Sequence, residues 1–584
     1  MAKAKQGKTL INKTGIIDII PFVFIIAVIP LIVYLHTYKL DPVETKNWKG
    51  SDTYLDLLSY CKSLWFIIAS SLVFCFFINK NIRNKFSYKK SIIYIPALVY
   101  MLFIIISTIA SQYPHIALFG FVARNEGMFV LLFYIVNMLL VYNLITEERQ
   151  IKVLFSSFII SASILGLIGI SQFVGNDFFQ TSFGKMLILP REYRLSEINI
   201  KFGRMIYATL NNPDYVGSYI ALLFPLLLVS FFYIKRPSLK IVIGLLSVLS
   251  LVNLYGSNSS AGFVGLAIGI ILILIILRKY IFKNIIITIA ISMIALTGGG
   301  FLAMRMINEL GKEFANQSYY LEDIVFEDKS VSIISKTETL TIQYSDSRLT
   351  FFDTDNNVLD INVKDNNQSK TITLDNPRYK NYTLIISGNI ITIRQSSIEF
   401  AIKIGADTLR FIGINGDEPD KMEKPNSVDI NGYEKLGSAR VYIWARTIPL
   451  LRNSIFTGYG PDTFAILFPQ NDYIGKINAY GNAGMLVDKP HNMYLQIAVN
   501  TGVISLITFL ILIGIYILSS IRLFLKKHEH DFISLSGISV FIGICSYLTA
   551  GFFNDSVVSV APVFWILLGI GFACNDLVKK ESNG

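Results

Sequence analysis

A chain of 584 residues that is 53% hydrophobic and only 16% charged, with a mean hydropathy of +0.52, is too apolar for a soluble globular protein of this length. Its formal net charge of +11 does not point to nucleic acid, because the basic residues sit in short clusters between apolar runs, as membrane topology requires. Cys61, Cys75, Cys545 and Cys574 lie in or beside apolar stretches without CxxC or Cys/His spacing, so neither a disulfide framework nor a metal site is indicated.

A membrane-crossing helix needs about 20 apolar residues, and about twelve segments meet that need. They fall near 16–35, 57–79, 91–111, 127–145, 152–174, 213–234, 239–256, 261–278, 284–304, 500–521, 532–552 and 556–576. The first follows a basic stretch but is too long for a signal-peptide core and lacks a small-x-small cleavage site, which predicts a retained spanning helix. Every second connection is basic: Lys80 to Lys90, Arg149 and Lys152, Lys235 to Lys240, Arg278 to Lys283, and Arg522 to Lys527. This alternation predicts an all-α polytopic helical bundle with both termini in the cytoplasm.

Three units follow: a membrane bundle over 1–304, an extracytoplasmic loop over 305–499, and three further membrane helices over 500–584. Within the loop, residues 330–414 alternate apolar and polar positions in short runs (SVSIIS, TLTIQYS, YTLIIS, FAIKI), which predicts a small β-rich insert. The insert reads either as a spacer or lid, or as a glycan holder presenting aromatic side chains such as Tyr379 and Tyr382. Residues 439–452 predict an amphipathic helix, with Val441, Trp444, Ile448 and Leu451 on one face, lying on the membrane surface or over the bundle.

Almost no charged residue falls mid-membrane, which argues against ion-coupled transport. Polar groups gather instead on the expected outer face. Arg124 in FGFVARNEGMF suits a phosphate or an interfacial pair with Glu126. Arg204 precedes Asn212, Pro213 and Asp214, which themselves suit a helix cap. Arg440 offers a bidentate fork for a pyrophosphate, whereas Trp444 suits an interfacial anchor. His491 and Asn492 stand just before an apolar run, where an imidazole can take a proton from a substrate hydroxyl.

Taken together, R-x-x-G at Arg124, NNPDYVGSYIALLFPL, R-x-x-x-W followed by GYGPDTF, and HN-x9-G resemble the O-antigen ligase and polymerase superfamily from about Leu118 to Ile521. The chain departs from that pattern where Ser505 follows Gly502, and where GSNSSAGF lacks a Ser-Arg pair. The resemblance implies a bacterial cytoplasmic-membrane glycosyltransferase with its active site on the extracytoplasmic face. It would move a glycan from an undecaprenyl-diphosphate-linked donor to a glycan or other cell-surface acceptor, without metal or cofactor. His491 and Asn492 would be the catalytic residues, and Arg440, Arg204 and Arg124 would hold the diphosphate. The alternative is an exporter of lipid-linked glycan that forms no bond; a third reading is a structural or sensory membrane protein that displays the β-domain.

Overall fold

The computed structural model describes residues 15–47, 52–84, 88–195, 205–281, 319–345, 348–366, 369–406, 408–525 and 531–583, with isolated short pieces between 293 and 308. Among the described residues, seven helices are long and apolar enough to cross a membrane: Tyr60–Arg83, Glu148–Phe173, Pro213–Tyr233, Pro237–Ser257, Val503–Phe524, Phe532–Ala550 and Ala561–Glu581. Four shorter apolar helices accompany them, at Ile16–Leu31, Tyr94–Ile109, Met128–Leu144 and Ser260–Ile276. The expected span at 284–304 lies mostly outside the described residues.

The helices at Pro213–Tyr233, Phe532–Ala550 and Ala561–Glu581 are the most buried of these spans and make up the bundle's centre. Small residues allow the close approach: a Cβ on Gly262 would stand 2.5 Å from the Gly217 Cα, and one on Gly543 2.9 Å from the Leu222 carbonyl. The first apolar run is not one regular helix. It passes from 3-10 to α to π (Phe24–Val28) and back to 3-10 at Ile29–Leu31, with Pro21 and Pro30 each lacking an N–H. The carbonyls freed at its end do not face lipid alone. Thr209 Oγ1 donates to the Pro30 carbonyl at 2.7 Å, and the fully buried Lys62 ammonium donates to the carbonyls of Ile32 and Thr209.

The β-rich region holds two antiparallel sheets around one apolar core. Strands β3 (Leu321–Phe326), β4 (Ser330–Ser335), β5 (Thr339–Ser345) and β6 (Arg348–Phe352) form the first in that order. The second is a meander of six, from β7 (Ile361–Asn366) through β8 (Ser369–Leu374), β9 (Tyr382–Ser387), β10 (Ile390–Gln395) and β11 (Ile398–Ile404) to β12 (Leu409–Ile412). A separate hairpin, β1 (His36–Lys39) with β2 (Thr53–Asp56), follows the first helix.

Alternation sets the faces: β4 buries Val331, Ile333 and Ser335 and half-exposes the residues between them. Strand β3 begins at Leu321, ahead of the expected start at 330, because Glu322 and Asp323 interrupt its alternation. Tyr379 and Tyr382 do not present themselves to a glycan. Both are buried in the shared core, with the Tyr379 hydroxyl donating to the Thr339 carbonyl at 3.0 Å and the Tyr382 hydroxyl 2.8 Å from that of Tyr319.

The helix at 440 also differs from its expected form. It is α over Arg440–Thr447 and 3-10 over Ile448–Asn453, where Pro449 removes a donor. Its buried side carries Tyr442, Ile443, Ala445 and Thr447, while Ile448 of the expected apolar face is 45% exposed. Proximity to neighbouring segments overrides the sequence periodicity here.

The helix at Tyr473–Tyr480 packs against both sheets. Asn478 accepts from the Leu321 N–H at 3.1 Å and donates to the Leu321 carbonyl at 2.8 Å, and Tyr473 packs against Phe411 with ring centroids 5.0 Å apart. Asn478→Ala leaves both buried Leu321 groups unpaired, at about 1–3 kcal/mol. Limited proteolysis is expected to cut the 321–412 region faster in this variant, with the membrane helices resisting as before.

Candidate functional site

Capping residues place the ends of several helices together. Asn492 has extended backbone and its Oδ1 accepts from the N–H groups of Tyr494 and Leu495, both at 3.0 Å, which starts the helix Met493–Thr501. Asn212 does the same for Pro213–Tyr233 through the Asp214 N–H at 2.9 Å. A Cβ on Gly458 would stand 2.1 Å from the Asn500 carbonyl, so the GYGPDTF turn lies directly on that helix end.

Three nearly consecutive residues then pair with charges from two distant segments. The Asp488 carboxylate pairs with the Arg124 guanidinium. Lys489 Nζ stands 3.1 Å from Glu126 Oε2, both side chains 2% exposed, and donates to the Ser556 carbonyl at 3.0 Å. His491 Nδ1 lies 2.9 Å from Asp555 Oδ2, with the imidazole 30% exposed and the carboxylate fully buried. The ring is at ion-pair distance although its N–H does not point squarely at the oxygen. Arg124 and Glu126 therefore do not pair with each other, as one reading of the sequence allowed; each takes a partner from the segment before His491.

Burial raises the Glu126 carboxyl to about 7 despite the pull of Lys489. Burial opposes the charge on Lys489 as well, but Glu126, Tyr215 and Asp462 outweigh it and hold the ammonium above its ordinary range. Asp555 is pushed up by burial and pulled down further by His491, Lys489 and Arg124, so it stays ionised. Burial works against the Arg124 charge too, and Asp488 leads the carboxylates that reverse the effect. Asp462 completes the cluster: its Oδ2 accepts from the N–H groups of Phe121 at 2.8 Å and Glu126 at 3.2 Å, fixing the loop that carries Arg124.

Arg440 approaches from the other side. Its Nε donates to the Phe553 carbonyl at 2.9 Å, one terminal nitrogen to the Gly437 carbonyl at 2.9 Å, and the other to Asp214 Oδ2 at 2.9 Å. Asn554 locks the same corner by donating to the Asp214 carbonyl at 2.9 Å and to Ser218 Oγ at 2.8 Å. Trp444 is more than an interfacial anchor, because its indole N–H donates to the Pro490 carbonyl at 2.9 Å, immediately before His491. Arg446 pairs with Asp472 at 2.8 Å and stacks on Tyr442, away from this cluster. Arg204 lies outside the described residues.

The backbone is strained around the same groups. His491, Ala123, Asn125, Asn211, Ala439 and Asp462 all hold φ between 47° and 77°, a region that L-residues other than Asn and Asp seldom adopt. Beneath His491, Glu126, Asn500, Gln496 and Tyr547 line a small cavity within the bundle. No sequence motif marks Asp555, Asp488 or Lys489, and Asp462 falls within GYGPDTF without a sign of its own role. One signal was available for Asp555: it is the lone charge in the hairpin joining two almost wholly apolar helices.

Residues 383–510 match the model of a family described as O-antigen ligase, which supports the superfamily that the motifs resemble. The match runs through β9 to β12, Arg440, Trp444, Asp462 and His491, whereas Arg124 and Asp555 lie outside it and join the cluster through their ion pairs. Comparison with the curated proteins and with the solved structures gives no match.

Two outcomes follow from these pairings. Asp555→Asn keeps the shape but removes the charge beside the imidazole and, for the transfer reaction proposed below, is expected to lower turnover about 10²- to 10⁴-fold in a folded protein, as measured by initial rates of glycan transfer. Glu126, raised from its ordinary 4.5 to about 7, favours the folded state fully below about 4.5, and this contribution is lost as pH rises through about 7. The difference in thermal stability between wild type and Glu126→Gln, measured in detergent from pH 4 to 8, should therefore change in that window and level off above it.

Proposed function

We propose, with the O-antigen ligase match over residues 383–510 as premise, that this chain is a membrane glycosyltransferase of the O-antigen ligase and polymerase type. It moves a glycan from undecaprenyl diphosphate to an acceptor hydroxyl outside the bacterial cytoplasmic membrane. The observation that carries the reading is His491, partly exposed and backed at 2.9 Å by the buried carboxylate of Asp555. The negative charge beside Nδ1 favours a proton on that nitrogen and leaves Nε2 as the basic nitrogen for substrate.

The sugar C1 is already activated by its diphosphate, so position and charge supply most of the catalysis. The acceptor oxygen attacks C1 as the C1–O bond to diphosphate breaks, and the hydroxyl proton passes to His491 Nε2. Attack opposite the leaving group inverts the anomeric centre. Asn492 acts as a positioning residue, since its side chain is committed to the helix cap, and Trp444 positions His491 through Pro490. Arg440 and Arg124 receive the departing diphosphate in place of a metal, with Arg204 a third cation for the same task. Asp214 and Asp488 pair with the two described guanidinium groups, which leaves their remaining N–H groups for phosphate oxygens.

The end of the bundle that bears the β-domain faces outward in this reading, and the end bearing Lys80, Lys89 and Lys152 faces the cytoplasm. No observation favours the exporter. Purified protein in vesicles, given undecaprenyl-diphosphate-linked repeat units and candidate acceptors, is expected to form new glycosidic bonds. A ladder of lengthened lipid-linked chains identifies a polymerase, and a single transfer to a different acceptor a ligase. Donor movement across the bilayer without any new bond contradicts the reading. For topology, a cysteine-free variant carrying Asn356→Cys should react with a membrane-impermeant maleimide in cells with an opened outer barrier, and one carrying Arg149→Cys should not.

A further inference from the structure

Between the β-domain and the segment leading to Arg440 lies a cleft of about 390 Å³. Tyr319, Tyr320, Lys336, Asn431, Tyr433 and Glu434 line it, over the buried side chain of Ile398. Its polar groups are fixed by one another. The Tyr320 hydroxyl meets Glu434 Oε1 at 2.9 Å and Asn431 Oδ1 at 3.1 Å, and the Gly432 N–H donates to Glu434 Oε2 at 2.9 Å. Tyr319 is tied to Tyr382 of the core at 2.8 Å, and Lys435 reaches Ser397 Oγ at 3.1 Å, which closes the segment onto β10 and β11. Tyr433, by contrast, is 51% exposed at the rim.

Flat aromatic faces next to fixed carboxylate, amide and ammonium groups suit a ligand whose C–H faces alternate with hydroxyl groups. A hydrocarbon chain would strip water from the exposed Lys336 and Asn431 without replacing its hydrogen bonds. A nucleic acid would bring its phosphates against Glu322 and Glu434, which belong to the same lining. An oligosaccharide meets neither objection. The place is also apt: Glu434 stands six residues before Arg440, and Gly437 between them accepts from the Arg440 guanidinium.

We propose that this cleft is a second glycan site, which holds sugar units of the chain being transferred or extended at a distance from His491. The inference rests on the reading of the chain as a glycan-transferring enzyme. Full-length protein in lipid nanodiscs is applied to an array of immobilised bacterial-polysaccharide repeat units and their dimers, as wild type, His491→Ala, Tyr433→Ala and Asn431→Ala. Wild type and His491→Ala are expected to retain the same oligosaccharides, and Tyr433→Ala and Asn431→Ala to bind them at least tenfold more weakly with unchanged thermal unfolding. Both substituted side chains are exposed, and in Asn431→Ala the Tyr320 hydroxyl keeps Glu434 as its partner, so thermal unfolding stays a fair control. Wild type that retains no glycan, or variants that retain it undiminished, overturns the proposal. Retention without any transfer product would instead tell against the proposed reaction, which keeps the two failures apart.

Discussion

Charges at the end of a membrane bundle persist only when paired, because an isolated ion removed from water costs several kcal/mol. Three such pairs, Arg124 with Asp488, Lys489 with Glu126 and His491 with Asp555, hold the segment before His491 against two other connections. Each pair joins residues far apart in the chain, so the site exists only when the loop at 121–127, the segment at 488–491 and the hairpin at 551–560 are all in place. Removing one partner leaves the other charge buried and unmatched, at about 3–5 kcal/mol. The same pairs bring the imidazole beside an ionised carboxylate, which joins the stability of this end of the molecule to its chemistry.

The backbone shows how that arrangement is held. Asn492 and Asn212 begin helices with side-chain caps, and the segments leading into them or facing them carry residues in the left-handed region, including His491, Asn211 and Asp462. Each such residue costs about 1–3 kcal/mol and is kept only where the surroundings over-determine it. The hydrogen bonds from Trp444 to the Pro490 carbonyl and from the Phe121 and Glu126 N–H groups to Asp462 supply that constraint. In the proposed reaction, an imidazole held in this way needs little rearrangement to meet an acceptor hydroxyl.

The membrane-bundle character was legible because lipid demands long apolar helices, and the β-strands were legible where side chains alternate cleanly, as in SVSIIS. Legibility failed where tertiary contact outweighed local pattern. Charges hid β3, and the face of Arg440–Thr447 that packs inward is not the one its apolar periodicity marks. Of the site, the sequence singles out His491, Asn492, Arg440, Arg204 and Arg124; the structure places all but Arg204, which lies outside the described residues, at one end of the bundle. Their partners Asp214 and Asp488 carry no local sign of pairing, and Asp555 shows only as the lone charge of its hairpin. A carboxylate 64 positions from its histidine has no spacing to read, since an ion pair of this kind is a property of the folded end and not of a motif.

Chemical rescue of His491→Ala tests the role of the imidazole most directly. Initial rates of glycan transfer would be measured in vesicles for wild type and for this variant, with and without added imidazole over a range of pH. The account predicts a folded variant that is nearly inactive alone and regains turnover with imidazole, following the concentration of its neutral form. A variant that transfers glycan at the wild-type rate without imidazole would contradict it.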